Sequence, residues 1–537
     1  TACSSSQGTS STGSDSNSSN DLQSGDASSD TASEGNTEDS KEFSYPMDGS
    51  VTLTWWIPAN AELTGEQQQR ENNPIMKWLS EATGVKFEFQ HPPIGEERNA
   101  FNILCASGDI PDIVSYDVNN YTGGMQKAVD DGIALRLNDY IPKYCPNLQA
   151  FLDENPEFAQ NMKTPNGDYC YFPKLTLDPF CRSWFGWQIR ADMLEEQGLE
   201  PPVTMEDWYN TLSTLKKAYN LEAGLVIMST AWSQGEMATA YRTALTYDIN
   251  DAGEVVFGPA TQEYKAFLTE MNKWFKEGIL HPDFATMDNI TAKSYYNSGK
   301  AAAIVDSVGS MSGFISAGQT HDPDFATMGC PYPVLNKGDK PYRGYLDTTM
   351  SRYCFIGGDI DESKIEAACR FLDFGYSEEG KILYNFGKEG ESFNYVDGKP
   401  VYTDLIMNNP DGLNKNSAIR LYTMAAGAPS EQLRAYMEQN NNLDCQIEAI
   451  NNWMNTDQDK HQYPTFAKGT AEEEERLSIL NTDINTYVEE MRVKFIMGTE
   501  SLDNFDKYVE NLKNMGLDEA LQLKRDIYER YMANISK

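Results

Sequence analysis

From Val51 onward, short β-branched or aromatic runs alternate with stretches whose apolar residues recur at helical spacing. Val51–Ile57 (VTLTWWI) ends at Pro58 and reads as a strand. Asn73-Pro74 opens a helix, Ile75, Leu79 and Ala82 share its apolar face, and Gly84 ends it. Val85, Phe87 and Phe89 then alternate as a second strand, and Ile113–Tyr116 follows a turn at Gly108-Asp109-Ile110-Pro111 as a third. Strand, helix, strand at this spacing is a βαβ unit, which predicts a parallel sheet and an α/β fold. The pattern restarts at Trp187–Ile189, followed by a helix over Arg190–Gln197 that Gly198 ends. Thr204 and Asp207 form a capping box ahead of Trp208, Leu212 and Leu215. Ala301–Val305 and Tyr353–Ile356 read as further strands. From about Ser430 the pattern is helical, with Val488, Met491 and Phe495 on one stripe and Phe505, Val509 and Leu512 on another.

The first forty or so residues break this pattern. They form a Ser/Thr/Gly/Asn/Asp tract, too polar to offset its ordering entropy by burial, so a flexible tether is expected. As a random coil it would span roughly 35 Å. The tract begins Thr-Ala-Cys, which resembles the end of a bacterial lipoprotein signal and implies lipidation at Cys3. Contact with the membrane would then run only through the lipid anchor, since no apolar run approaches the ~18 residues a spanning helix needs. Lys plus Arg number 43 and Asp plus Glu 81, for a net charge of -38, which argues against nucleic acid or anionic lipid as a partner.

Catalytic and metal-binding patterns are sparse. Residues 375–381 (GYSEEGK) approach a phosphate loop, but Ile382 stands where a magnesium-binding hydroxyl belongs. Asp248, Asn250 and Asp251 resemble the opening of a calcium loop whose twelfth position is Pro259, so a hairpin turn is the better reading. Apart from Cys3, eight cysteines occur without CxxC spacing, and there are only four histidines. No metal or cofactor is expected, and disulfides and free thiols both remain open. Aromatic residues reach 11%. Trp55, Trp56, Trp184, Trp187 and Trp232 fall near strand ends or connections, where crevices of α/β sheets open. Flat rings suit the C–H faces of pyranoses, and carboxylates suit their hydroxyls.

Several strings together resemble the extracellular solute-binding proteins of the family 1 type, in the long lipoprotein branch common in Gram-positive bacteria. They are CASGDIPDIV (105–114), GDYCYFP (167–173), WQIRADMLEEQGL (187–199) and WFKEGILHPDF (274–284), then SGKAAAI (298–304), GKEGESFNYVDG (387–398) and KFIMG (494–498). The resemblance implies a type II periplasmic-binding-protein-like fold, in which two α/β lobes joined by crossing strands close on a ligand. On this reading residues 1–42 are the tether. The N-terminal lobe takes 43–175 and 310–355, the C-terminal lobe takes 176–309 and 356–430, and 431–537 is a helical extension. Crossings are expected near 173–186, 305–312 and 352–357. The resemblance further implies a monomeric, lipid-anchored protein on the outer face of the cell membrane. It would bind an oligosaccharide and hand it to an ABC permease, with no catalysis of its own. Residue by residue it carries over Asp117 after the third strand, Ser183, Trp184 or Phe185 on the first crossing, and Asp306 at the end of the SGKAAAI strand. Tyr345 and Asp347 are offered by the third crossing. Gly309-Ser310 stands where relatives carry an aromatic, and Tyr219–Gly224 lacks the acids of a calcium loop. The other readings are a peptide-binding protein of the same architecture and, from a different class, a surface glycoside hydrolase with paired carboxylates.

Overall fold

The computed structural model describes residues 44–535 except 426 and 428; Cys3 and the 1–42 tether lie outside the described residues. The ordered chain is built on two sheets, each with its own hydrophobic core. Ten strands form them: β1 Thr52–Trp56, β2 Lys86–Gln90, β3 Ile113–Val114, β4 Phe172–Leu175, β5 Phe185–Arg190, β6 Ala223–Val226, β7 Ala301–Ser307, β8 Thr327–Gly329, β9 Met350–Ile356 and β10 Ser430–Glu431. The first sheet runs β10-β4-β9-β3-β1-β2. β1 pairs in parallel with both β2 and β3, as the βαβ pattern predicts. β9 enters antiparallel between β3 and β4. The second sheet runs β8-β5-β7-β6, with β6 and β7 parallel and β5 antiparallel to its neighbours.

Local signals set most helix ends. The helix Pro74–Thr83 starts on a proline and stops at Gly84, whose φ of 75° places it in the left-handed region that glycine adopts without a Cβ penalty. The Thr204–Asp207 capping box forms in both directions, Thr204 Oγ1 accepting from the Asp207 amide at 3.0 Å and the Asp207 carboxylate from the Thr204 amide at 2.9 Å. The near-phosphate loop is a tight helix junction. Ser377 caps Glu378–Phe386, and a Cβ on Gly380 would lie 1.8 Å from the Phe374 carbonyl. All eight cysteines of the described part are free thiols.

Two boundary expectations are corrected. Residues 310–349 belong largely with the second sheet, because β8 hydrogen-bonds β5 and Phe314 and Phe325 pack on Ile304 of β7. Conversely, 356–430 belongs largely with the first. Phe371, Leu372 and Phe374 join the core under β1, and Phe371 meets Trp55 at 5.3 Å. The chain therefore passes between the sheets at 176–184, again at 345–349, and once more after β10. It does not pass at 305–312, where β7 turns into the helix Ser310–Gly318 of the same half. The helical segment after β10 packs on the second half. Asp444–Met454 lies against β5 and β8, and glycines permit the approach, since a Cβ at Gly186 would fall 2.5 Å from the Trp453 ring. Val488, Met491 and Phe495 are buried on one face of Ala471–Met497, against Gln262–Lys276.

Candidate ligand site

Where β1 and β3 end, the chain turns away and leaves a cavity of about 820 Å³. Its wall is made by the segments that follow these strands, by the start of β9, by the first turn of Glu97–Ser107 and by the end of the helix Lys415–Tyr422. This is the strand-end location at which open α/β sheets bind ligands. Residues of the first half line it, together with Thr348 of a crossing; the second sheet contributes none.

Tyr116 and Tyr353 supply the aromatic wall. Tyr116 is held by Phe101 at 4.7 Å and edge-on by Trp56 at 5.9 Å. Tyr353 meets Tyr171 edge-on at 4.9 Å, and burial pushes its phenol up to about 12. The strand carrying Tyr353 is irregular. Its register against β4 shifts between Ser351 and Cys354, and Arg352 within the shift has φ 52°. A bulge of this kind re-aims a side chain, and here the exposed Arg352 lines the cavity.

The sequence-proposed residues separate into three groups. Asp117 is in the cavity wall; its Oδ1 caps the following turn by accepting from the Asn119 amide and side chain, both at 2.9 Å. Trp184, Tyr345 and Asp347 cluster on the crossings. The Trp184 and Tyr345 rings meet at 4.7 Å, Trp184 Nε1 donates to Asp347 Oδ2 at 3.4 Å, and Arg182 Nε donates to the Asp347 carbonyl at 2.7 Å. All three cluster members are half-buried, and Thr348 beside them lines the cavity.

Trp56, Trp187, Trp232 and Asp306 are placed elsewhere, which corrects the expectation that they face a ligand. Trp187 is fully buried against Trp208 at 4.9 Å, with its Nε1 donating to the Gly235 carbonyl. Trp232 packs between Phe267 and Phe284 under the Arg492 guanidinium. Trp56 lies behind Tyr116, 5% exposed. In each case burying the indole in the core gains more than an exposed ring could. Asp306 is 2% exposed at the end of β7; Oδ1 accepts from Ser307 N and Ser310 Oγ, and Oδ2 faces Lys293 Nζ at 3.6 Å.

Sequence reasoning missed the arginines. Arg70, Arg98, Arg352 and Arg420 line the cavity beside Glu62, Glu97 and Asp117. Arg420 Nε donates to Glu62 at 3.2 Å, and Arg70 Nε to the Pro58 carbonyl at 3.0 Å. Among the described residues no carboxylate pairs with Arg98 or Arg352. These four positions share no motif or spacing, so no signal in the chain marks them as a set.

A strand-end cavity beside a crossing between two α/β halves fits a hinged binding protein. A family model for bacterial extracellular solute-binding proteins matches residues 61–382. The chain belongs to that family. This solute-binding protein is 23% identical to lipoprotein LipO of Bacillus subtilis, over 88% of the chain and 92% of that protein. It is also 23% identical to the fructooligosaccharide ABC transporter substrate-binding protein FusA of Streptococcus pneumoniae, over 93% and 95% of the two chains. Among solved structures, an HMO-binding ABC-transporter-associated solute-binding protein of Bifidobacterium longum infantis superposes with a TM-score of 0.71 at 17% identity, covering 90% of this chain and 99% of its own. The fold is the two-lobed α/β type of periplasmic solute-binding proteins.

Proposed function

We propose that this solute-binding protein is the capture component of an ABC importer for an oligosaccharide, held at the outer membrane face by a lipid on Cys3 and acting without catalysis. The cavity at the ends of β1 and β3 carries the reading. Its volume lies within the ~300–1,000 Å³ of small-molecule sites, and its wall mixes aromatic faces with charged hydrogen-bonding groups. The matched relatives support the ligand class, since FusA and the Bifidobacterium protein are described as binding oligosaccharides. In this reading Tyr116 and Tyr353 give ring faces, Asp117 accepts hydroxyl protons, and the Trp184–Tyr345–Asp347 cluster flanks the ligand. The second lobe then closes over the cavity.

A glycan panel followed by thermal unfolding tests this. One glycan should raise the melting temperature with concentration, by about 2.7 kcal/mol of added stability at one hundred times Kd, and should be recovered uncut. A peptide library that stabilises the protein where no glycan does, or a glycan recovered cleaved, would overturn the proposal.

A further inference from the structure

The charge of the cavity wall runs against the charge of the whole protein. Acids outnumber bases 81 to 43 along the chain, yet four arginines and three carboxylates line the cavity. A fifth cation stands close behind. Lys174 on β4 pairs in register with Ser351, which lines the cavity, and is half-buried with no hydrogen-bond or ion-pair partner among the described residues.

These cations crowd one another. Burial and then repulsion from Arg352 pull the Lys174 ammonium down to about 8, against opposing pulls from Asp347 and Cys181, with the smallest push from Arg420. Burial and the neighbouring Arg420 likewise bring Arg70 down to about 10. Of the carboxylates in the wall, Glu62 is engaged with Arg420, the Glu97 carboxylate accepts from the Gly95 amide at 2.9 Å, and Asp117 caps its turn. Arg352 reaches the cavity from a left-handed backbone position that strains a residue with a Cβ. The charged side chains of the wall sum to about +1, and to about +2 with Lys174, in a chain whose net charge is -38, and none of the wall carboxylates is paired with Arg98 or Arg352 among the described residues. The acids elsewhere on the surface do not cancel this local excess, because charges more than about 8 Å apart through water are screened at physiological salt.

We infer that the guest is an acidic oligosaccharide, its sugar rings carrying carboxylate or sulfate groups that Arg352 and Arg98 bind as forks, with Arg70, Arg420 and Lys174 completing the cationic wall. This rests on the oligosaccharide reading above and specifies it. Planar guanidinium groups match either oxyanion in two parallel hydrogen bonds, which a neutral hydroxyl cannot reproduce.

The test is calorimetry on the full chain with three matched pairs of probes: oligogalacturonates and their carboxyl-reduced forms, oligomannuronates and theirs, and sulfated chondroitin oligosaccharides and their desulfated forms. The expected result is that one acidic member binds at least about tenfold tighter than its neutralised partner, the worth of one charge-assisted contact. The carboxylate pairs and the sulfate pair identify which oxyanion is read. Arg352→Gly, which suits the backbone at that position, and Arg98→Ala at an exposed site should each reduce that preference severalfold without altering the melting temperature of the free protein by more than a few degrees. Equal or tighter binding of the neutralised partners, or a preference that survives both substitutions, overturns the acidic-guest inference and leaves the oligosaccharide reading standing. Failure of every acidic and neutral glycan to bind overturns both.

Discussion

Two arginines at similar depth along the chain serve opposite purposes. Arg343, in the second lobe, is almost fully enclosed; Nη2 donates to Glu236 at 2.8 Å, Nη1 to Asp248 at 2.8 Å, and Tyr342 Oη closes the ring by donating to Asp248 at 2.6 Å. Arg352, nine residues on, is exposed, has no ion-pair partner among the described residues and lines the cavity. The first guanidinium is consumed by the architecture, while the second is kept available. What distinguishes them is the supply of carboxylates, in excess around Arg343 and already occupied by other groups around Arg352.

The widest contrast comes from Arg343→Met. It strands two buried carboxylates, and the protein should lose about 3–5 kcal/mol of stability in urea titrations; a loss below 1 kcal/mol would mean the network is not structural. Next is the pH response of the same network. Burial, opposed in part by Arg343, raises the Glu236 carboxyl from 4.5 to about 7. A raised folded-state value means its contribution is fully present below about 4.5 and is lost as pH climbs through about 7. Glu236→Gln removes that dependence. The variant should therefore gain on the wild type between pH 4.5 and 7, by at most about 3 kcal/mol, and hold a constant lead above pH 7; parallel stability curves would remove Glu236 from the account. For Arg352→Gly the sign reverses. Relief of the left-handed backbone should make the free protein about 0.5–1 kcal/mol more stable in denaturant, while ligand affinity falls. A variant less stable than wild type would show that Arg352 has an undetected structural role. Smallest is Lys174→Met, where removal of a half-buried ammonium that has no partner among the described residues should add a few tenths of a kcal/mol in the same assay, and a clear loss would reveal a partner.

The elements were legible in the chain wherever the cause was local. The proline start and glycine stop around 74–84, the Thr204–Asp207 box and the parallel β1–β2 pairing all follow from neighbouring residues. Lobe membership was not, because it depends on pairings distant in sequence: β8 finds β5 and β9 finds β3 only after long excursions. The site shows the same division. Asp117 follows the third strand within a recognisable string, so the family resemblance could carry it over, and it lines the cavity. The tryptophans misled because their enrichment reads equally as core or as ligand face, and in Trp56, Trp187 and Trp232 the core took the ring. Arg70, Arg98, Arg352 and Arg420 come from four separate segments of an acidic chain, so their convergence exists only in three dimensions.

The insertion of β9 between β3 and β4 also sets an order of assembly. The second sheet draws its strands from one unbroken span, 185–329, whereas the first cannot be completed until 350–356 and then 430–431 have been made. As the chain leaves the ribosome or a secretion channel, the later-encoded half can close its sheet while the amino-terminal half still waits for its central strand. In refolding the same distance in sequence sets the order through loop closure: pulse-labelled amide exchange should protect Ala301–Ser307, whose partners lie within 185–329, before Phe172–Leu175, whose partners are 350–356 and 430–431.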